Sequence, residues 1–317
     1  MAGSVCVTGA GGFIGSWLVK LLLSKSYIVH ATLRNPLDEK NAHLKRLENA
    51  SENLKLFKAD LLDYESVRGA IAGCDGVFHT ASPVPSGSVP NPEVELIEPA
   101  VNGTLNVLKA CCEVNVKKVV YVSSVAAVAV LPNRPDRPLD ETFWSDQDFC
   151  RSNNDWYCLS KTKAEREAWE FSKTNGIDFK SVCPTLVIGP MLQSSMNASS
   201  LALIKYLRDG NEEVENRLRL FVDVRDLAKA LLLAYEKPEA NGRYICTSHE
   251  IRAKELVEML KKYYPDYKYP TKYTEPKGVF SASSEKLQKL GWSYRPLEET
   301  LVDSVENYSQ NGLLGNK

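Results

Sequence analysis

The feature that most restricts this chain lies at its N-terminal end. Val5-Cys6-Val7-Thr8 is a short apolar run that passes through Gly9-Ala10-Gly11-Gly12-Phe13-Ile14-Gly15 directly into an apolar stretch with helical spacing. The run predicts a buried strand and the spacing after it a helix. Glycines at 9, 12 and 15 permit a tight turn, a close approach of backbone to ligand, and close packing of helix on strand. The unpaired N–H groups and positive dipole end at the start of such a helix suit a pyrophosphate. A plain glycine-rich turn is the competing explanation. Context disfavours it, because strand, turn and helix here open a longer alternation of strands and helices.

Runs rich in branched or aromatic residues at Val5 to Thr8, Ile28 to Leu33, Leu54 to Ala59, Gly76 to Thr80 and Val119 to Ser123 predict five buried strands. Amphipathic segments from Gly12 to Leu23, Asn41 to Glu48, Tyr64 to Ile71 and Glu95 to Glu113 predict the helices between them. This alternation predicts an α/β fold, a doubly wound parallel sheet of Rossmann-like form covered on both faces. Later segments add a helix at Asp155 to Lys173, a strand at Phe179 to Cys183, and helices at Ser199 to Arg208, Val224 to Tyr235 and Ala253 to Tyr263, with short strands at Leu218 to Val222 and Tyr244 to Cys246. The expected division is a dinucleotide-binding domain over residues 1–188 and 220–247, interleaved with a smaller substrate-binding domain over 189–219 and 248–317.

Composition narrows the partners. Lys+Arg 39 against Asp+Glu 40 leaves a net charge of -1, so no global attraction to polyanions exists, and neither a nucleic acid nor a membrane surface is an expected partner. No obligate protein partner is evident. The longest apolar candidate, Val119 to Leu131, contains two serines and ends at Pro132, well short of the roughly 18 residues a spanning helix needs. Val5 to Leu23 has no basic residue ahead of it and is interrupted by Lys20, unlike a signal peptide, so a cytoplasmic location is expected. Eight cysteines without a Cys-x-x-Cys spacing and four scattered histidines predict neither a disulfide scaffold nor a metal site.

Which nicotinamide dinucleotide is used is read at the end of the second strand, where an acid suits a ribose 2′-hydroxyl and an arginine a 2′-phosphate. Arg34 stands there with Lys40 beyond it, which predicts NADP(H), although Asp38 and Glu39 lie nearby. Asp60, after the third strand, has two competing roles: accepting from the adenine amino group, or capping the helix that starts at Tyr64. Thr80-Ala81-Ser82 follows the fourth strand at the sheet edge where open α/β sheets bind ligands.

Tyr157 and Lys161 are four residues apart and share a helix face. A phenol ionises near pH 10. A neighbouring lysine and a cationic nicotinamide would lower that value toward working pH. The spacing alone is weak in a chain with 14 tyrosines, but it follows a strand that ends in Ser123-Ser124. Ser124 can donate to a carbonyl oxygen that Tyr157 protonates, so Ser124, Tyr157 and Lys161 form a coherent carbonyl-reducing set. Ser123 reads more simply as a strand-end polar residue.

With these residues in place the chain resembles the extended short-chain dehydrogenase/reductase family. Within it, Gly73-Cys74-Asp75-Gly76-Val77-Phe78-His79-Thr80-Ala81-Ser82-Pro83, Glu98-Pro99-Ala100-Val101-Asn102-Gly103-Thr104, Trp144-Ser145-Asp146 and Gly242-Arg243-Tyr244 resemble the plant cinnamoyl-CoA reductase and dihydroflavonol reductase group. The resemblance implies bound NADPH or NADP+, held by Gly9, Gly12, Phe13, Ile14, Gly15, Arg34, Lys40, Asp60, Leu61, Thr80, Ala81, Ser82, Tyr157, Lys161, Pro184 and Val187. It also implies a small aromatic carbonyl substrate of phenylpropanoid type, with Lys161 binding the nicotinamide ribose. Two departures bear on the substrate. Cys158-Leu159-Ser160-Lys161 is similar to the aromatic aldehyde reductase branch, and Ala202 replaces a histidine that thioester enzymes carry before Lys205, with Lys205 and Arg252 retained. Epimerase or dehydratase chemistry, a flavonoid ketone substrate, and an NADPH-binding regulator without turnover are the alternatives. Met191, Leu192, Met196 and Phe221 fall where the family shapes its substrate pocket, and ordinary core packing accounts for them equally well. Cys150 and Cys158 flank Tyr157 and are candidates for a reversible disulfide.

Overall fold

The computed structural model describes residues 3–84, 89–208, 212–276 and 278–314. Positions 85–88 of the Ser/Pro-rich stretch from Ser82 to Pro92 lie outside the described residues. The first six strands are β1 (Ser4–Thr8), β2 (Ile28–Leu33), β3 (Leu54–Lys58), β4 (Gly76–His79), β5 (Lys118–Val122) and β6 (Asp178–Pro184). Six more follow: β7 (Leu186–Ile188), β8 (Glu213–Glu215), β9 (Leu218–Asp223), β10 (Gly242–Cys246), β11 (His249–Arg252) and β12 (Lys272–Thr274).

Seven of them form one sheet in the order β10-β6-β5-β4-β1-β2-β3, with every neighbouring pair parallel. Side chains of a strand alternate between faces, and the core divides accordingly. Val5, Val7, Phe78, Val120 and Val122 pack toward the helices Phe13–Ser24 and Val224–Glu236. Cys6, Val77, Val119 and Tyr121 pack toward Tyr64–Ile71, Glu98–Glu113 and Trp156–Asn175. The expected doubly wound sheet is therefore present. From β1 the chain winds outward to β3, then returns to β4 and winds the other way, so the strand order reverses between β1 and β4. A crevice opens at the carboxyl ends of these two strands.

After β6 the chain leaves the large sheet. β7 pairs in parallel with β9, which pairs antiparallel with β11, and β8 pairs with β12. Two expectations change. The helix expected over Asn41 to Glu48 is reduced to Ala42–Lys45, preceded by a tight turn over Glu39–Asn41 whose first N–H groups Asp38 caps. Leu44 is its one buried residue, and Asn49 takes a left-handed conformation (φ 61°) that stops propagation. Conversely, the helix Leu297–Gln310 was missed, although Leu297, Leu301, Val305 and Tyr308 repeat at helical spacing and are all buried.

The C-terminal segment is fastened by charge. Asp226, at the start of the helix after β9, is buried and accepts from the Arg295 Nε (3.0 Å) and Nη2 (3.1 Å), while its carbonyl accepts from the Trp292 indole (2.9 Å). Arg225 bridges Asp223 (2.8 Å) to Asp303 (2.6 Å) on the last helix. Removing one partner of a buried pair strands the other. Asp226→Ala is expected to lower the unfolding free energy by about 3–5 kcal/mol; urea denaturation followed by circular dichroism checks it, and a loss below about 1 kcal/mol would mean the pair is solvated.

Candidate active site

The glycine-rich turn is built as its spacing demands. Gly9 sits at φ +68°, where a side chain is strained, and a Cβ there would lie 2.9 Å from the Ala81 Cα. A Cβ on Gly15 would overlap the Gly9 carbonyl oxygen, so helix and strand meet backbone to backbone. Gly12 forms the N-cap of the helix Phe13–Ser24 with no capping side chain, and the first turn has no acidic residue. The first N–H groups of that helix thus face the crevice with a positive dipole end and a cradle without side chains. These residues fit a dinucleotide pyrophosphate.

Thr8 ties the turn to the β4 edge. Its hydroxyl accepts from the Ala81 N–H (3.2 Å) and pairs with His79 Nδ1 (2.7 Å), while the Thr80 hydroxyl donates to the Thr8 carbonyl (2.6 Å). His79 Nε2 lies 3.2 Å from the Thr104 hydroxyl, which itself donates to the Ala100 carbonyl (2.8 Å). One assignment satisfies every group: Nε2 carries the proton and donates to Thr104, and Nδ1 accepts from Thr8. Burial pushes His79 down to about 3, with the Lys161 charge adding to the effect, so the imidazole is neutral.

At the far end of β2, Arg34 is exposed and makes no side-chain hydrogen bond or ion pair among the described residues. Lys40 is exposed too but is paired with Asp38 at 2.8 Å. Asp60 folds onto the Leu62 N–H (2.9 Å), while the cap of the helix Tyr64–Ile71 is Asp63. The capping role thus falls to Asp63. Leu61 packs against Gly103, whose missing side chain makes room for it, and Asn106 donates to its carbonyl (2.8 Å).

The reacting groups converge where β5 ends. The Ser124 hydroxyl accepts from the Ala126 N–H (3.1 Å) and stands near enough to the Tyr157 phenol to favour its ionised form. Lys161 is buried and donates to the Val122 carbonyl (3.1 Å), with its ammonium 5.4 Å from the Tyr121 ring centre. Burial pushes the Tyr157 phenol up to about 12, and Ser124 partly opposes the shift. A phenol held in its acid form is the form that can donate a proton. Burial pulls Lys161 down to about 8, opposed first by the Glu165 carboxylate.

Ser123, expected to be incidental, donates to Glu165 at 2.6 Å. Pro184 closes β6 opposite Cys246, and Val187 belongs to the small sheet opposite Val222, so the two straddle the point where the chain changes sheets. Met191 and Phe221 are buried in the main core, whereas Leu192 and Met196 are half-buried. Asn307 clamps Met191 from both sides, accepting from its N–H (2.8 Å) and donating to its carbonyl (3.2 Å); no signal short of the missed C-terminal helix could have found it. Cys150 and Cys158 are free thiols in one apolar cluster with Leu159, pushed up to about 11 and about 12 by burial, which keeps them protonated and slow to oxidise.

Residues 5–246 match the model of the NAD dependent epimerase/dehydratase family. The chain belongs to this family. Cinnamoyl-CoA reductase 1 of Petunia hybrida is 49% identical over 98% of this chain and 93% of its own. A bifunctional dihydroflavonol 4-reductase/flavanone 4-reductase of Malus domestica is 44% identical over 98% and 92%. Vestitone reductase from alfalfa superposes with a TM-score of 0.85 at 32% identity, covering 98% of this chain and 100% of that one. The yeast methylglyoxal/isovaleraldehyde reductase Gre2, solved with NADPH, gives 0.81 at 27% identity over 98% and 99%. The resemblance drawn from the motifs is met, and the chain is an oxidoreductase that works with a nicotinamide dinucleotide. Among the described residues no helix is long and apolar enough to cross a membrane.

Because the Gly15 contact is with backbone, it cannot be relieved by a rotamer change. Gly15→Ala is expected to weaken dinucleotide binding at least about ten-fold, a cost of about 1–3 kcal/mol for overpacking. Quenching of protein fluorescence by the dinucleotide checks it, and wild-type affinity would show that the turn relaxes freely.

Proposed function

We propose that this protein uses NADPH to reduce the carbonyl of a phenylpropanoid-type aromatic substrate, an aldehyde or a hydroxycinnamoyl thioester. The observation that carries the proposal is the convergence of Ser124, just past β5, with Tyr157 and buried Lys161, whose ammonium donates to the Val122 carbonyl at the end of the same strand. Near-half identity to a cinnamoyl-CoA reductase along almost the whole chain supports the substrate class. NADPH, when bound, supplies the hydride. The chain supplies the rest. Ser124 has its acceptor capacity engaged by the Ala126 N–H, which leaves its hydroxyl hydrogen to donate toward Tyr157 or a substrate oxygen. Tyr157 gives its proton to the oxygen as negative charge develops there. In this reading the Lys161 ammonium lowers the cost of the phenolate left behind and binds the nicotinamide ribose. Arg34, exposed and unengaged, is the residue we assign to the 2′-phosphate, with Lys40 in a lesser part because Asp38 already holds it. Residues 189–219 and 248–317 form the substrate-binding part of this proposal.

The deciding assay measures NADPH oxidation with a hydroxycinnamoyl thioester and its matched aldehyde; no oxidation with either would overturn the proposal. Tyr157→Phe is expected to cut turnover by about 10²–10⁴-fold while sparing NADPH binding. Equal turnover in that variant would remove Tyr157 as the proton donor. Arg34→Ala is expected to raise the KM for NADPH about 10- to 100-fold, the worth of a charge-assisted hydrogen bond, and to leave that for NADH nearly unchanged. Parallel changes for both dinucleotides would place the 2′-phosphate elsewhere.

A further inference from the structure

Gly242-Arg243-Tyr244 belongs to the family resemblance as a motif without a role, and its arginine proves to be the partner of a second buried charge. Glu165 lies one helical turn beyond Lys161 and is fully buried. Each of its oxygens takes one hydroxyl and one guanidinium donor, with the Cys183 thiol 3.8 Å from both. Oε1 accepts from the Ser181 hydroxyl (2.6 Å) and Arg243 Nε (2.8 Å), and Oε2 from the Ser123 hydroxyl (2.6 Å) and Arg243 Nη2 (3.1 Å). Arg243 also donates to the carbonyls of Glu141 (3.0 Å) and Phe143 (2.6 Å), and its guanidinium lies 3.6 Å from the Trp144 ring centre. This one carboxylate therefore joins the helix Trp156–Asn175 to the end of β5, the middle of β6 and the start of β10.

We propose that Glu165, held by Arg243, is a positioning residue of the reductase: it fixes Ser123–Ser124 against the catalytic helix and supplies the charge that keeps Lys161 an ammonium. The inference rests on the function proposed above. Two geometric facts carry it. Ser123 is bonded to Glu165 and is the residue next to Ser124, so the carboxylate sets the height of Ser124 against Tyr157. Second, Tyr157, Lys161 and Glu165 recur every four residues on one helix face.

The groups around Lys161 leave it no other counter-charge. From its own helix come Tyr157 and Glu165; Tyr121 faces it from β5, neutral His79 from β4 and the Cys183 thiol from β6, while Arg243 of β10 stands behind the carboxylate. Among these described groups Glu165 is the one carboxylic acid. A buried ammonium is disfavoured by desolvation, and a nearby anion is what restores it. The sign follows: without the carboxylate Lys161 loses its proton at lower pH, and activity that needs the ammonium declines earlier as pH rises.

The test uses the full chain labelled with carbon-13 lysine, the Lys161 signal being assigned by its loss in Lys161→Arg. In Glu165→Gln the Lys161 midpoint is expected to fall by about one unit or more, and the alkaline limb of kcat/KM for NADPH-dependent aldehyde reduction to move with it. Glu165→Asp, which keeps the charge, is expected to restore both. Should Glu165→Gln alone fail to fold around an unpaired arginine, the double variant Glu165→Gln/Arg243→Gln removes both charges and is expected to keep the lowered midpoint. An unchanged Lys161 midpoint in a folded variant lacking the carboxylate overturns the proposal, as does a uniform fall in turnover with an unshifted pH profile. The titration is read without turnover, so absence of NADPH oxidation by the wild type would count against the proposed reaction and not against this role.

Discussion

The contact on which the rest of this molecule depends is between backbones: the Gly9 turn, the first turn of the helix containing Gly15, and the Ala81 Cα at the end of β4. Side chains there would push apart the two strands between which the strand order reverses. The crevice at their carboxyl ends exists because glycine lets three segments meet without a Cβ. Thr8 and neutral His79 then tie the same strands together with hydrogen bonds that leave no polar group unsatisfied. The dinucleotide cradle and the core beneath it are thus one construction.

Around that cradle the chain uses buried charge where a purely apolar core would hold less specifically. Asp226 with Arg295, and Asp223 with Arg225 and Asp303, fasten the C-terminal segment to the edge of the dinucleotide fold. Glu165 with Arg243 does the equivalent behind the catalytic helix. Buried pairs of this kind add little net stability over well-packed apolar residues, but each is satisfied in one arrangement only. Such pairs suit a site in which Ser124, just past β5, must meet Tyr157 and Lys161 on the helix Trp156–Asn175.

Legibility differed between parts of the chain for physical reasons. The strands of the large sheet were visible because buried parallel strands are short, branched and apolar, and the helices between them because their buried stripe repeats at 3.6 residues. Ala42–Lys45 was overestimated because amphipathic spacing does not reveal that only Leu44 finds a core to enter. The small strands β7, β8, β11 and β12 span three or four residues each, too few to show a period. Leu297–Gln310 carried a clear stripe and was legible, yet was missed. Within the site, Ser124, Tyr157 and Lys161 could be chosen by type and spacing, but Ser123 and Glu165 could not, since their partner Arg243 lies 78 residues beyond Glu165.

The sequence by itself determined the doubly wound sheet, the glycine cradle, the candidate trio of Ser124, Tyr157 and Lys161, and the family, because each is written in local order: short apolar runs, a fixed glycine spacing, a four-residue helical step. Only the tertiary structure decided that Arg34 has no side-chain partner among the described residues while Lys40 is held by Asp38, that Asp63 rather than Asp60 caps its helix, and that Met191 and Phe221 are core. It alone decided that burial pushes the Tyr157 phenol upward and that a distant arginine stands behind the helix that carries Lys161. Burial and the partners of a charge are properties of three-dimensional proximity, and no local pattern in the chain encodes them.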